Sequence, residues 1–251
     1  MEDKVKLRHL DILTEDQVDY ALLMTEVLGY RNSFFNKVVH FTRNFKNIYE
    51  IVNKINETEH DSVPLNKNST IVNPARIGHI CYLAMLELTD TLAKSSDKES
   101  ISERIAQIIA ISCYEQNRES KFDSKSKSFK NFKQQILNQP LLDMIGLHAW
   151  IISQVEESNK VWNQKFSAIH VADEDADAGG REELKIFNVI NTVSSICTDF
   201  NYSEKEAWYI SYSFVQENSY KKAYEYFVQD RIRQIKEAKI LANQKKNRRN
   251  A

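Results

Sequence analysis

The sequence predicts an all-α protein, a multi-helix bundle of about eight or nine helices that ends in a protruding C-terminal helical arm. Three observations predict it. The chain of 251 residues holds only 5 Gly and 3 Pro, about a quarter of the roughly 12% usual for the pair, and sheets and long loops need those residues for their turns. Apolar residues recur at helical spacing in one segment after another, and no stretch reads as a convincing strand. Several of these segments open with a capping box, in which each end of the motif satisfies a free backbone N–H of the other.

Thr14-Glu-Asp-Gln17 has that form and starts a helix through Val18, Leu22, Leu23 and Val27, which stops at Gly29. A second helix runs from about Ser33 through Phe34, Phe35, Val38, Phe41, Phe45, Ile48 and Ile51. Together they predict a helical hairpin over residues 1–57. Residues 58–73, with Pro64 and several Asn and Ser, read as a linker. Asn73-Pro74 then sets an N-cap before a proline at the first helical position. The helix behind it carries Ile77, Ile80, Cys81, Leu83, Ala84, Leu86 and Leu88.

Ser100-Ile-Ser-Glu103 is another capping box, opening a helix with Ile105, Ile108, Ile109 and Tyr114. Between Asn117 and Gln134 the pattern dissolves into Ser, Lys and Phe, which reads as an exposed excursion. Pro140 restarts a helix towards Ile169 through Leu141, Ile145, Trp150, Ile151, Val155, Trp162 and Phe166. An acidic loop from Asp173 to Gly180 precedes a helix with Leu184, Phe187, Ile190, Val193 and Ile196. Ser203-Glu-Lys-Glu206 caps the last stretch. Glu204 to Glu217 is expected to be a core helix anchored by Trp208, interrupted near Asn218-Ser219 and followed by an outward arm. The expected division is therefore the hairpin 1–57, the linker 58–73, a main helical domain 74–217 and a basic helical arm 218–251.

Bulk properties exclude more than they assign. With 34 basic and 35 acidic residues the net charge is −1, so any attraction to a partner has to come from local patches. Cys81, Cys113 and Cys197 are scattered and odd in number, against a disulfide framework and in favour of a reducing compartment. No apolar run approaches the roughly 20 residues of a membrane span, and the polar Met1-Glu-Asp-Lys start does not look like a signal peptide. Cytosolic synthesis is expected.

No enzymatic motif stands out. The six histidines, His9, His40, His60, His79, His148 and His170, are dispersed and form no HExxH. Neither GxSxG nor a glycine-rich phosphate loop occurs. Asp173, Asp175 and Asp177 alternate like the first half of a calcium loop, yet Ala178 replaces the required glycine and Leu184 the closing glutamate. A solvated turn is the reading, and no metal, cofactor or small-molecule substrate is expected.

Two segments are strongly basic. Residues 118–133 carry Arg118, Lys121, Lys125, Lys127, Lys130 and Lys133 against Glu119 and Asp123, net +4, with Phe122, Phe129 and Phe132 interleaved. Such a mixture can track single-stranded nucleic acid, charges on phosphates and rings on bases. It equally describes a solvated loop clipped to the body by its Phe residues. Residues 231–251 carry Arg231, Arg233, Lys236, Lys239, Lys245, Lys246, Arg248 and Arg249 against Glu237 alone, net +7. The helix dipole welcomes cations at a C-terminus, but eight exceed that need. DNA, an acidic protein surface, another subunit or plain solvent are all compatible with it. Ile232, Ile235, Ala238 and Leu241 suggest an apolar stripe for docking, and Tyr220, Tyr224 and Phe227 at i, i+4, i+7 suggest a half-buried subunit contact.

The texture of the chain, together with Glu206-Ala-Trp-Tyr-Ile-Ser-Tyr-Ser-Phe214 and the charged helix after it, resembles small virion and tail-assembly proteins of tailed bacteriophages. Among these it is similar to the ring proteins below the portal in the crAss-like group. The resemblance covers roughly residues 101–240 and carries over no functional residue. What the resemblance implies is a non-enzymatic structural subunit of a head–tail connector, a homo-oligomer in contact with other virion subunits and assembled in the host cytoplasm. The alternative is a nucleic-acid-binding regulator that uses residues 118–133 and 231–249.

Overall fold

A computed structural model describes residues 6–9, 71, 76–93, 100–118, 120–169 and 187–249. The protein is all-helical. Seven α-helices lie among the described residues: α1 Tyr82–Ala93, α2 Ile101–Asn117, α3 Lys127–Leu137, α4 Leu141–Ser167, α5 Asn188–Phe200, α6 Glu204–Trp208 and α7 Tyr212–Arg249. Among these residues β structure is limited to isolated bridge positions, with Lys6 paired antiparallel to Pro140. The two helices of the expected hairpin, the linker apart from Ile71, and the acidic loop lie outside the described residues. The chain forms two compact units, Met1–Glu157 and Ser158–Ala251.

In the first unit α2 is the central element. Ile105, Ala106, Ile108, Ile109, Ala110, Ile111, Cys113 and Tyr114 are all buried, so the helix is wrapped on nearly every side. Its buried Ser112 is tolerated because its hydroxyl donates to the Ile108 carbonyl at 2.9 Å. Ser100 caps α2 by accepting from the Glu103 N–H at 3.2 Å. The reciprocal half of the expected box gives way to a stronger partner, since the Glu103 carboxylate pairs with Lys133 of α3 at 2.6 Å.

Alongside α2 lies α1, held at its end by Arg104, which donates to the Leu92 carbonyl at 3.2 Å. That helix begins later than the Asn73-Pro74 signal suggests. A 3₁₀ turn at Ile77–His79 comes first, and Ile80 is extended. Gly78 and the β-branched Ile77 and Ile80 weaken the helical preference there, and both isoleucines are buried by leaving the helix. Leu7, which no sequence pattern singles out, also reaches the core; its N–H donates to the Gln139 carbonyl at 3.0 Å.

The supposed excursion corrects most. Residues 127–137 form α3, capped by Ser126, whose side chain accepts from the Phe129 N–H at 3.0 Å. Phe129, Phe132, Ile136 and Leu137 are buried, and Phe122 of the preceding loop is buried with them. At 3.6 residues per turn the four helix positions fall within an arc of roughly 140°, which leaves Lys127 and Lys130 on the outside, while Lys133 falls within the arc and is half-buried against Glu103. Burying each such side chain is worth on the order of 1.5–3 kcal/mol, so the lysines do not prevent docking.

The second unit contains the last turns of α4 together with α5, α6 and α7. The capping box at Ser203 is complete: the Ser203 N–H donates to the Glu206 carboxylate at 2.9 Å, and the Glu206 N–H to the Ser203 hydroxyl at 3.3 Å. Asn201, at φ 53°, ends α5 in the left-handed region that Asn tolerates. The expected break near Asn218-Ser219 does not occur. The chain breaks instead at Tyr209–Ser211, and α7 runs unbroken through both residues. Tyr212 and Val215 are buried, Trp208 is half-buried, and Phe214 packs against Phe200 at 5.1 Å between ring centroids.

Candidate functional site

The most unusual element is α7. Its 38 residues span roughly 57 Å at a rise of about 1.5 Å per residue. The first half is tied down. Phe166 meets the ring of Tyr220 edge-on at 5.7 Å, and Lys222 pairs with Asp199 of α5 at 2.5 Å and also donates to the Ser195 hydroxyl. The hydrogen bond from Lys222 holds the Asp199 carboxyl below the usual carboxylate range against the opposing effect of desolvation, helped by Asn218, by the charge of Lys222 and by Ser195.

Beyond these ties the helix stands bare. Every residue from Arg231 to Gln244 is exposed. Four are large aliphatics, Ile232 at 47%, Ile235 at 49%, Ile240 at 55% and Leu241 at 56% exposure. Projected at 3.6 residues per turn, they surround the axis with gaps of roughly 60 to 120°. The row Ile232, Ile235, Ala238 and Leu241 steps by three, so it winds around the helix rather than running along it. This differs from the expected stripe.

Of the residues expected to meet a partner, Tyr220 is engaged within its own unit. Tyr224 is about half exposed and continues a ring ladder, 6.2 Å from Tyr220 and 6.2 Å from Phe227, which is itself half-buried. Arg233 is bracketed by Asp230 and by Glu237, the latter at 3.9 Å. Arg231, Lys236 and Lys239 are exposed and show no ion pair among the described residues. Lys245, Lys246, Arg248 and Arg249 fall on the last turns of α7. The Lys222–Asp199 clamp and the exposed Ile240 escape sequence reading, and Tyr226, which the sequence groups with an aromatic block expected to be mostly core, is 73% exposed. Ile240 lies off the expected Ile232–Leu241 row, and only a projection of every apolar position would have found it; the clamp joins residues on different helices and leaves no sequence signal.

The other basic segment offers no stacking surface. Phe122, Phe129 and Phe132 gather around Tyr114, with centroids 5.5 to 6.3 Å from its ring. The Tyr114 hydroxyl is 2.8 Å from that of Ser120. Burial pushes this phenol up, but hydrogen bonds with Ser120, Ser128 and Ser126 and the charge of Arg118 outweigh it and leave the group below its ordinary value.

An open cleft of about 380 Å³ lies beside this cluster, lined by Ile71, Asn117, Arg118, Phe132, Gln135 and Gln139. Its polar groups already have partners within the fold. The Arg118 guanidinium lies 5.1 Å from the Phe132 centroid and donates to Gln135, the Asn117 amide donates to the Cys113 carbonyl at 2.7 Å, and Gln139 donates to the Gln135 carbonyl at 3.3 Å. Among the described residues no carboxylate, thiol or imidazole lines it.

Cys81 and Cys113 are buried, and burial pushes the Cys81 thiol up to about 12 and that of Cys113 higher still, away from nucleophilic chemistry. Among the described residues no group of three His, Cys, Asp or Glu side chains is placed to hold a metal ion, and no helix is long and apolar enough to cross a membrane. No protein family, curated protein or solved structure matches the chain.

Proposed function

We propose that the chain is a non-enzymatic structural subunit of a multimeric assembly, of the kind that the resemblance to phage head–tail connector and ring proteins implies. One observation carries this reading: the distal half of α7 holds four large aliphatics, each left about half exposed. Monomers rarely keep such residues uncovered in a group, and helices that do so serve as contacts. The direct measurement is native mass spectrometry with light scattering across a range of protein concentrations. A multimer of defined stoichiometry is expected. A monomer at every concentration would overturn the reading.

A nucleic-acid-binding regulator is a second reading, favoured by the exposed and unpaired Arg231, Lys236 and Lys239. It rests on the arm alone, because the rings of residues 118–133 are buried. Its signature would be binding that weakens steeply with salt as counterions are released.

A further inference from the structure

We infer that the arm of one copy, residues 231–249, inserts into the acidic body of a second copy, so that the assembly grows head to tail. The inference rests on the reading of the chain as an assembly subunit and names the partner of its arm.

The first support is the distribution of apolar side chains. A helix meeting one flat surface needs one apolar face, whereas this arm is charged and polar overall and spreads its few large aliphatics around the axis. Ile232, Ile235, Ile240 and Leu241 point around the whole circumference, and each leaves about half its surface bare. An occupant that covers these aliphatics together therefore has to reach more than one side of the arm.

Charge identifies it. Residues 231–251 hold 8 of the 34 basic residues and 1 of the 35 acidic ones, net +7, which leaves 26 basic against 34 acidic and a net −8 in residues 1–230. Two arms laid together would repel along their length. An arm set against residues 1–230 of a neighbour is attracted, and the pairing nearly cancels the charge of both. Every copy thus brings one basic insert and one acidic receptor.

The root of the arm gives the geometry. Tyr220 against Phe166 and Lys222 against Asp199 fix the start of the exposed stretch relative to the last turns of α4 and to α5. Each arm therefore leaves its unit in one direction. A contact between two different surfaces, repeated by a constant rotation, closes into a ring or continues as a filament.

The test uses the full chain and the variant R231E/K236E/K239E, which alters only exposed residues and is expected to keep the wild-type circular dichroism and melting curve. Wild type should be multimeric at about 0.05 M salt and dissociate towards about 0.5 M, where screening shortens to a few Å. The variant should associate at least about tenfold more weakly. A photo-crosslinking residue at Ile235, in a mixture of isotopically light and heavy chains, should link to residues 1–230 of the other copy. Crosslinks confined to α7 of the other copy would overturn the inference in favour of arm-to-arm pairing. A multimer that falls apart on nuclease treatment would make nucleic acid the occupant. Undiminished assembly of the variant would sink the inference and leave the assembly reading standing, whereas a monomeric wild type would sink both.

Discussion

The helix α3 and the distal half of α7 are built from similar material and end differently. Both mix lysine and arginine with large apolar residues, and both lie in segments with a strong positive excess. In α3 the apolar positions share one arc, so Phe129, Phe132 and Ile136 go into the core and Lys133 reaches Glu103. In α7 beyond Asp230 the apolar positions circle the axis, so no placement against a single neighbour could bury them together. Composition alone assigns both segments to the surface or to nucleic acid. The angular order of the side chains separates them, because a helix docked on one side of a core needs one apolar face.

The sharpest way to break this comparison is to delete one apolar side chain from each. Phe129→Ala should cost the first unit about 3–5 kcal/mol, read from the urea midpoint, since a fully buried aromatic leaves both a transfer loss and a cavity. Ile235→Ala should stay within about 0.5 kcal/mol under conditions where the chain is monomeric, as expected of a surface site. Equal losses at the two positions would mean that the arm is packed within its own chain, as α3 is.

A smaller effect separates how the two helices begin. Ser126 caps α3 and satisfies the Phe129 N–H, so Ser126→Ala should cost about 1 kcal/mol and Ser126→Gly a few tenths. The arm has no start of its own, because α7 passes through Asp230 without a break. Its order is borrowed from the root, and hydrogen exchange should show protection falling progressively from Tyr212 towards Arg249 rather than in one step. A sharp step at residue 218 would restore the interruption expected from the Asn-Ser pair.

Helical class was legible because two short-range signals agree, the scarcity of Gly and Pro and the capping residues. Ser100, Ser203 and Pro140 each mark a helix start that the structure places within a residue of the expected one. Ser126 was missed because its helix opens with Lys-Ser-Phe-Lys, without the acid at the third position that makes a box recognisable. Asn218-Ser219 misled in the opposite direction. Both residues disfavour helix weakly, but Val215 and Tyr220 on either side are packed, and tertiary contact outweighs a propensity of that size. The positive tail was visible from the sequence. The aliphatics on its far side needed the helix to be known as continuous before their angles could be compared.

The smallest expected effect lies at the joint between the tied and the bare halves of α7. Asp199 is ionised below the ordinary carboxylate range because Lys222 donates to it. A carboxylate whose folded value is depressed binds protons more readily in the unfolded chain, so its contribution is present above the unfolded value, about 4, and is lost as pH falls through the folded one. The pair is solvent-facing and salt-screened, so its effect belongs with the weak surface pairs. Melting curves of wild type and Lys222→Met should therefore differ slightly at neutral pH and converge in acid. They should also converge at neutral pH in high salt. Ile235→Ala, out on the bare half, should follow the wild-type pH profile throughout. A Lys222→Met deficit that persisted in acid and in high salt would assign the joint to packing of the lysine stem against α5 rather than to its charge, and the arm would then be fixed by the same force that docks α3.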